Sequence, residues 1–138
     1  MTRNEARETL MQILYELDTA KYIDDGSAKA RGEELLPARI TGQDTERCLT
    51  LLDNILTNLD EIDGDINSFS SKWKTTRMPK VDLAIMRLAI GEMKYTDDIP
   101  HAVIVNEAIN IAKKYSTENS AKFIHGILGT ASKTYTGN

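Results

Sequence analysis

The residues of this chain best suited to chemistry are cations set beside an aromatic ring. Residues 70–80 place Lys72, Lys74, Arg77 and Lys80 around Trp73 with no acid among them. A single-stranded nucleic acid needs that pattern, because cations meet phosphates while an unstacked base lies on the indole. Lys72, Lys74 and Arg77 are therefore candidate phosphate contacts. Trp73 has two readings, a stacking platform or a plug between helices, and burial is the expectation for so large an apolar ring. A second basic pair, Arg3 and Arg7, falls one helical turn apart, spaced to clamp successive phosphates. Glu5 and Glu8 are near enough to pair with both, so by residue type alone this is a solvated helix face. A third candidate is the polar run at 116–120 followed by Lys122, where a helix start offers unpaired N–H groups to an anion. Capping by Asn119 or Ser120 accounts for the same residues.

Catalytic and metal chemistry have no comparable footing. Glu107 has no paired carboxylate, His101 and His125 stand far apart without metal-ligand spacing, and there is no glycine-rich phosphate loop. Cys48, the single cysteine, lies among Leu51, Leu52 and Ile55 and reads as a small buried hydrophobe rather than a nucleophile. No enzyme activity, cofactor or metal is expected. A length of 138 residues with 41% hydrophobic content suits one domain, 1–138, around one core. No apolar run is long enough to span a bilayer, and the N-terminus mixes acids with bases, so a cytoplasmic protein away from membranes is expected. The net charge of -4 argues against indiscriminate nucleic-acid binding. It is unevenly spread: residues 1–69 hold 7 Lys and Arg against 15 Asp and Glu, giving -8, while residues 70–138 hold 10 against 6, giving +4. A nucleic-acid site here would be a local patch.

Helices must position these groups. Thr2 and Glu5 form a capping box ahead of Ala6, Leu10, Ile13, Leu14 and Leu17, which predicts a helix to about Ala20. Residues 21–41 read as a variable surface connection, with a short helix possible around 28–36 before Pro37. Cys48, Leu51, Leu52, Ile55, Leu56 and Leu59 predict a long helix, and Asn58 or Asp60 can cap the next one through Ile62, Ile66 and Phe69. Val81, Ala84, Ile85, Leu88, Ala89 and Met93 then recur at helical spacing. Asp98 and Pro100 interrupt before a further run at Val105, Ala108, Ile109 and Ala112, with Lys113 and Lys114 at its cationic end. Phe123, Ile124, Ile127, Leu128 and Ala131 make the last stripe, which Gly126 and Gly129 each weaken by about 1 kcal/mol relative to Ala. His125 is expected to pack on that helix. The fold class is all-α, with six or seven helices.

Several motifs in this frame resemble the NusB family of transcription antitermination factors. They are Val81 to Arg87, then Asp98 to Pro100, Val105 to Ala108, and Lys122 to Leu128, in that order and spacing, with Ala6, Arg7, Glu8, Leu14 and Tyr15 similar to the family's first helix. The resemblance implies a NusB-type domain of two small helical bundles packed across each other. It implies a partner, the ribosomal protein NusE, and a joint RNA ligand, the boxA element of nascent transcripts such as ribosomal RNA, carried into the elongating RNA polymerase complex. By the same resemblance the start of the first helix, with Arg3 and Arg7, contacts RNA, Asn119 and Lys122 lie beside the RNA site, and Tyr15, Glu16 and Asp82 lie on or near the face that meets the partner. An acidic face there would suit a basic ribosomal protein. The chain departs from the family in having Asn4 and Glu5 where basic residues are frequent, and His125 where Asn is usual. A homodimer that hides the arginines is a further possibility within the family. The competing reading, from the acidic net charge, is a helical interaction or dimerisation module with no RNA role.

Overall fold

The computed structural model describes residues 1–135, which form seven α-helices: α1 (Arg3–Thr19), α2 (Ala28–Arg39), α3 (Asp44–Thr57), α4 (Leu59–Phe69), α5 (Lys80–Tyr95), α6 (His101–Tyr115) and α7 (Glu118–Thr134). A single 3₁₀ turn at Thr75–Arg77 interrupts the connection between α4 and α5, and no strand occurs among the described residues. The helices fall into two groups, α1 with α2 and α3, and α4 with α6 and α7, and α5 packs against members of both. Residues 82–93 of α5 are buried without a break, so this helix is covered on every side rather than along one stripe. Its apolar side chains join those of all the other helices in one contiguous core.

The capping box forms as the sequence requires: Glu5 N–H donates to Thr2 Oγ1 at 3.1 Å and Thr2 N–H donates to Glu5 Oε1 at 2.8 Å. Residues 28–39 are a full helix rather than a surface connection. Ala28, Gly32, Leu36 and, just beyond, Ile40 turn inward against α1 and α3, and Pro37 sits in the last turn, where the helix is already ending. Asn58 does not cap α4 with its side chain; its amide donates to the Asn54 carbonyl at 2.8 Å and closes α3 instead. Between α3 and α5 the approach depends on Gly91, where a Cβ would stand 2.4 Å from Ile55 Cγ1. Among the described residues no helix is long and apolar enough to cross a membrane.

The buried charges are all partnered. Arg87 of α5 donates to Asp63 of α4 at 2.9 and 2.7 Å and to Asp18 of α1 at 3.2 Å, tying three helices together. Cys48 is buried, and desolvation pushes its thiol up to about 11.

Candidate nucleic-acid interface

The connection from α4 to α5 and the first turns of α7 form the two walls of an open cleft of about 970 Å³. One wall supplies Lys72, Trp73 and Arg77; the other supplies Asn119, Lys122 and Phe123; Phe69 and Ile127 add apolar surface, and Asp82 forms the floor. Two stretches that the sequence singles out separately are thus brought together. Lys72, Arg77 and Lys122 form no ion pair among the described residues, which leaves their charge available to an anion. Lys74 is exposed but lies outside the lining.

Trp73 is 50% exposed, so the expectation that it plugs the core does not hold. The backbone around it explains why. Ser70 Oγ donates to the Trp73 carbonyl at 2.6 Å and accepts from the Trp73 N–H at 3.2 Å, while Thr75 N–H donates to Asn67 Oδ1 at 2.8 Å. The loop is stapled to the end of α4 on both sides of the indole, and the ring is held in the cleft with its surface open. Phe123, opposite, is half-buried and packs partly on the core.

On the other wall Thr117 caps α7, accepting from Ser120 N–H at 3.0 Å, so neither Asn119 nor Ser120 serves as the cap. Asn119 is left exposed with its side chain toward the cleft, and Ser120 turns its hydroxyl to Asp82. His125 is exposed, contrary to the expected packing role.

Of the remaining candidates Asp82 lies under this cleft and the others lie elsewhere, and two, Arg7 and Asp82, are corrected. Arg7 is buried, with 6% of its side chain exposed, and forms a two-pronged ion pair with Glu92 of α5: Nε to Oε1 at 2.7 Å and Nη2 to Oε2 at 2.9 Å. Its third nitrogen donates to Asn4 Oδ1 at 2.6 Å, which leaves the guanidinium committed inside the protein and not offered to RNA. Asp82, expected near a partner face, is only 1% exposed, and its carboxylate accepts from Ser116 Oγ at 2.8 Å and Ser120 Oγ at 2.6 Å. At that burial the carboxylate faces inward to these hydroxyls rather than outward to a second protein. Arg3 is exposed and only loosely paired, 3.7 Å from Asp98, whose main partner is Arg47 at 2.7 Å. Tyr15 is half-buried, and Glu16 pairs with Arg39 of α2, which holds its carboxyl below the usual range.

The sequence gives no sign of Glu92 as the partner of Arg7 by local spacing, of Asp98 as that of Arg3, or of Arg47 as the main partner of Asp98. For Glu92 a signal exists: it stands four residues after Leu88 on the apolar stripe of α5, where an acid needs a buried cation. Arg47 carries no such mark.

The architecture is that of an all-α domain of the NusB type: a solved structure of NusB from T. maritima superposes with a TM-score of 0.87 at 32% identity, covering 98% of this chain and 93% of that one. The chain belongs to the NusB family, whose sequence model matches residues 4–133. Among its relatives, the transcription antitermination protein NusB of Acetivibrio thermocellus is 43% identical over 133 residues, 96% of this chain and 90% of that protein. That of Desulforamulus reducens is 41% identical over 129 residues, covering 94% and 88%. A crystal structure of the antitermination factors NusB and NusE in complex with dsRNA contains a chain that superposes with a TM-score of 0.77 at 25% identity, covering 96% of this chain and 97% of that one.

Proposed function

We propose that this protein acts in transcription antitermination as an adaptor: together with a NusE-type ribosomal protein it binds the boxA element of a nascent transcript and joins the elongating RNA polymerase. The observation that carries the RNA side of this reading is the cleft, where Lys72, Arg77 and Lys122, none of them ion-paired among the described residues, surround a Trp73 that is half exposed on a stapled loop. Single-stranded RNA suits such a site, with phosphates on the cations and one base on the indole. Asn119 can add a hydrogen bond to a base edge or sugar, Lys74 extends the positive surface beyond the cleft, and Arg3, beside Asp98 at the other end of α5, would be a separate contact to RNA. Tyr15 and Glu16, at the surface of α1 beside Arg39, are the residues assigned to the protein partner. Affinity is shared: a chain with net charge -4 gains from a basic partner that brackets the same RNA. No bond is made or broken.

The test is fluorescence anisotropy of labelled boxA RNA against a scrambled sequence, with and without NusE, across a salt series. The expected result is sequence-selective binding that strengthens with NusE. Trp73→Ala should weaken it by roughly 1–3 kcal/mol, the worth of one stacked base. Lys122→Ala should lower the salt slope by about 0.7, as for one phosphate contact on a single strand. Absence of selectivity even with NusE would leave a helical interaction module as the better reading.

A further inference from the structure

We infer that Asp82 is the positioning residue of the cleft, its carboxylate fixing the α6–α7 turn at the distance that sets Lys122 and Phe123 opposite Trp73 and Arg77. This rests on the reading of the cleft as an RNA site. Asp82 stands in the first turn of α5, three residues beyond Pro79, so its backbone continues the wall that carries Trp73 and Arg77. Its side chain reaches the opposite wall. One carboxylate oxygen accepts from Ser116, the residue that closes α6, at 2.8 Å, and the other accepts from Ser120, in the first turn of α7, at 2.6 Å.

These two bonds are not needed to end or begin a helix. Ser116 N–H already donates to the Ala112 carbonyl at 2.8 Å, and Thr117 already caps α7. What they add is lateral: the turn that presents Asn119 and Lys122 is pinned to the start of α5 from both of its ends. Asp82 forms no ion pair among the described residues, although it is only 1% exposed. A buried carboxylate held by two hydroxyls is a costly arrangement, offset in part by the N-terminal dipole of α5. Its position beneath the cleft, between the two walls, is where such an arrangement has an effect on binding.

An asparagine can keep the geometry without the charge, since its amide oxygen accepts from one serine and its N–H donates to the oxygen of the other. An alanine cannot. The experiment measures boxA RNA affinity and the RNA-induced change in fluorescence of Trp73, the only tryptophan, at a temperature where circular dichroism shows each variant folded. Asp82→Ala should weaken RNA binding by about tenfold and reduce the Trp73 response, Asp82→Asn should restore both to within about threefold, and Ser120→Ala should weaken binding by about threefold alone but add nothing to Asp82→Ala. Should Asp82→Ala fail to fold, Ser120→Ala and Asp82→Asn decide the matter alone. Wild-type affinity in Ser120→Ala or Asp82→Ala, while Lys122→Ala weakens binding, would overturn the inference and leave the RNA reading intact. Equal loss in Asp82→Asn and Asp82→Ala would overturn it too, by tracing the effect to charge. RNA binding that ignores both Lys122→Ala and Trp73→Ala would instead remove the RNA reading of the cleft itself.

Discussion

Replacing Arg7 by alanine separates a structural arginine from an RNA-binding one. The Arg7 and Glu92 side chains are 6% and 4% exposed, so solvent screens their interaction little, and the pair is joined by two hydrogen bonds at 2.7 and 2.9 Å. Alanine leaves the Glu92 carboxylate buried without its partner, and breaking one side of such a pair costs about 3–5 kcal/mol. Against a total stability of roughly 5–15 kcal/mol this is a large fraction. At about 2.1 cal/mol/K of unfolding entropy per residue, a chain of this length has roughly 0.3 kcal/mol/K in total, so Tm should fall by about 10–17 °C. Removing both charges with Arg7→Met and Glu92→Leu should recover most of that loss, because neither charge is then stranded. Urea and thermal unfolding followed by circular dichroism give the stabilities, and RNA anisotropy at low temperature gives the affinity of the folded fraction. The expected pairing is a large loss of stability with unchanged RNA affinity. A variant as stable as wild type to within about 1 kcal/mol, yet weakened toward RNA, would refute the reasoning and return Arg7 to the binding surface.

Glycine substitutions should divide by environment. Gly91→Ala forces a Cβ to within 2.4 Å of Ile55 and should destabilise by about 1–3 kcal/mol despite its better helix propensity, whereas Gly129→Ala meets nothing within 4 Å and should stabilise by up to about 1 kcal/mol in urea titrations. Glu8 is held below the ordinary glutamate value of 4.5 by hydrogen bonds from Lys114 and Tyr115, so it binds a proton more weakly folded than unfolded. Its contribution is complete above that ordinary value and is lost as pH falls through its folded value; Glu8→Gln should therefore flatten the acid limb of a stability-against-pH curve. The Cys48 thiol, pushed up to about 11 by burial, is ionised to only about one part in a thousand at pH 8, so a disulfide reagent should label it only after urea unfolds the chain.

Periodicity in the sequence was sufficient for six of the helices, because each carries an apolar stripe long enough to stand above noise. The helix at 28–39 is longer and better packed than its sequence predicts. Its inward residues are two small ones, Ala28 and Gly32, and a single Leu36, too little apolar surface to signal burial until α3 is seen to lie against it. For the candidate site, residue type was informative where a charge has no local competitor, as at Lys72, Arg77 and Lys122. It misled at Arg7, which stands three residues before Leu10 on the inward stripe of α1 and meets an acid 85 positions away. Asp82 misled similarly, since its partners Ser116 and Ser120 lie across a turn that no local pattern connects to α5. Trp73 failed in the opposite direction: size argues for burial, but a serine and an asparagine on the end of α4 hold its backbone at the surface.

Because α5 is enclosed by α1, α3, α4, α6 and α7, neither helical group can come apart while the other keeps its core. Amide protons from the middle of α5 should then exchange with deuterium only when the whole chain opens, while those of α2, at the edge of the molecule against α1 and α3, should exchange through smaller openings. Two bundles that share an axle cannot behave as two folding units, and ligands on separate faces of such a molecule would stabilise one and the same global transition.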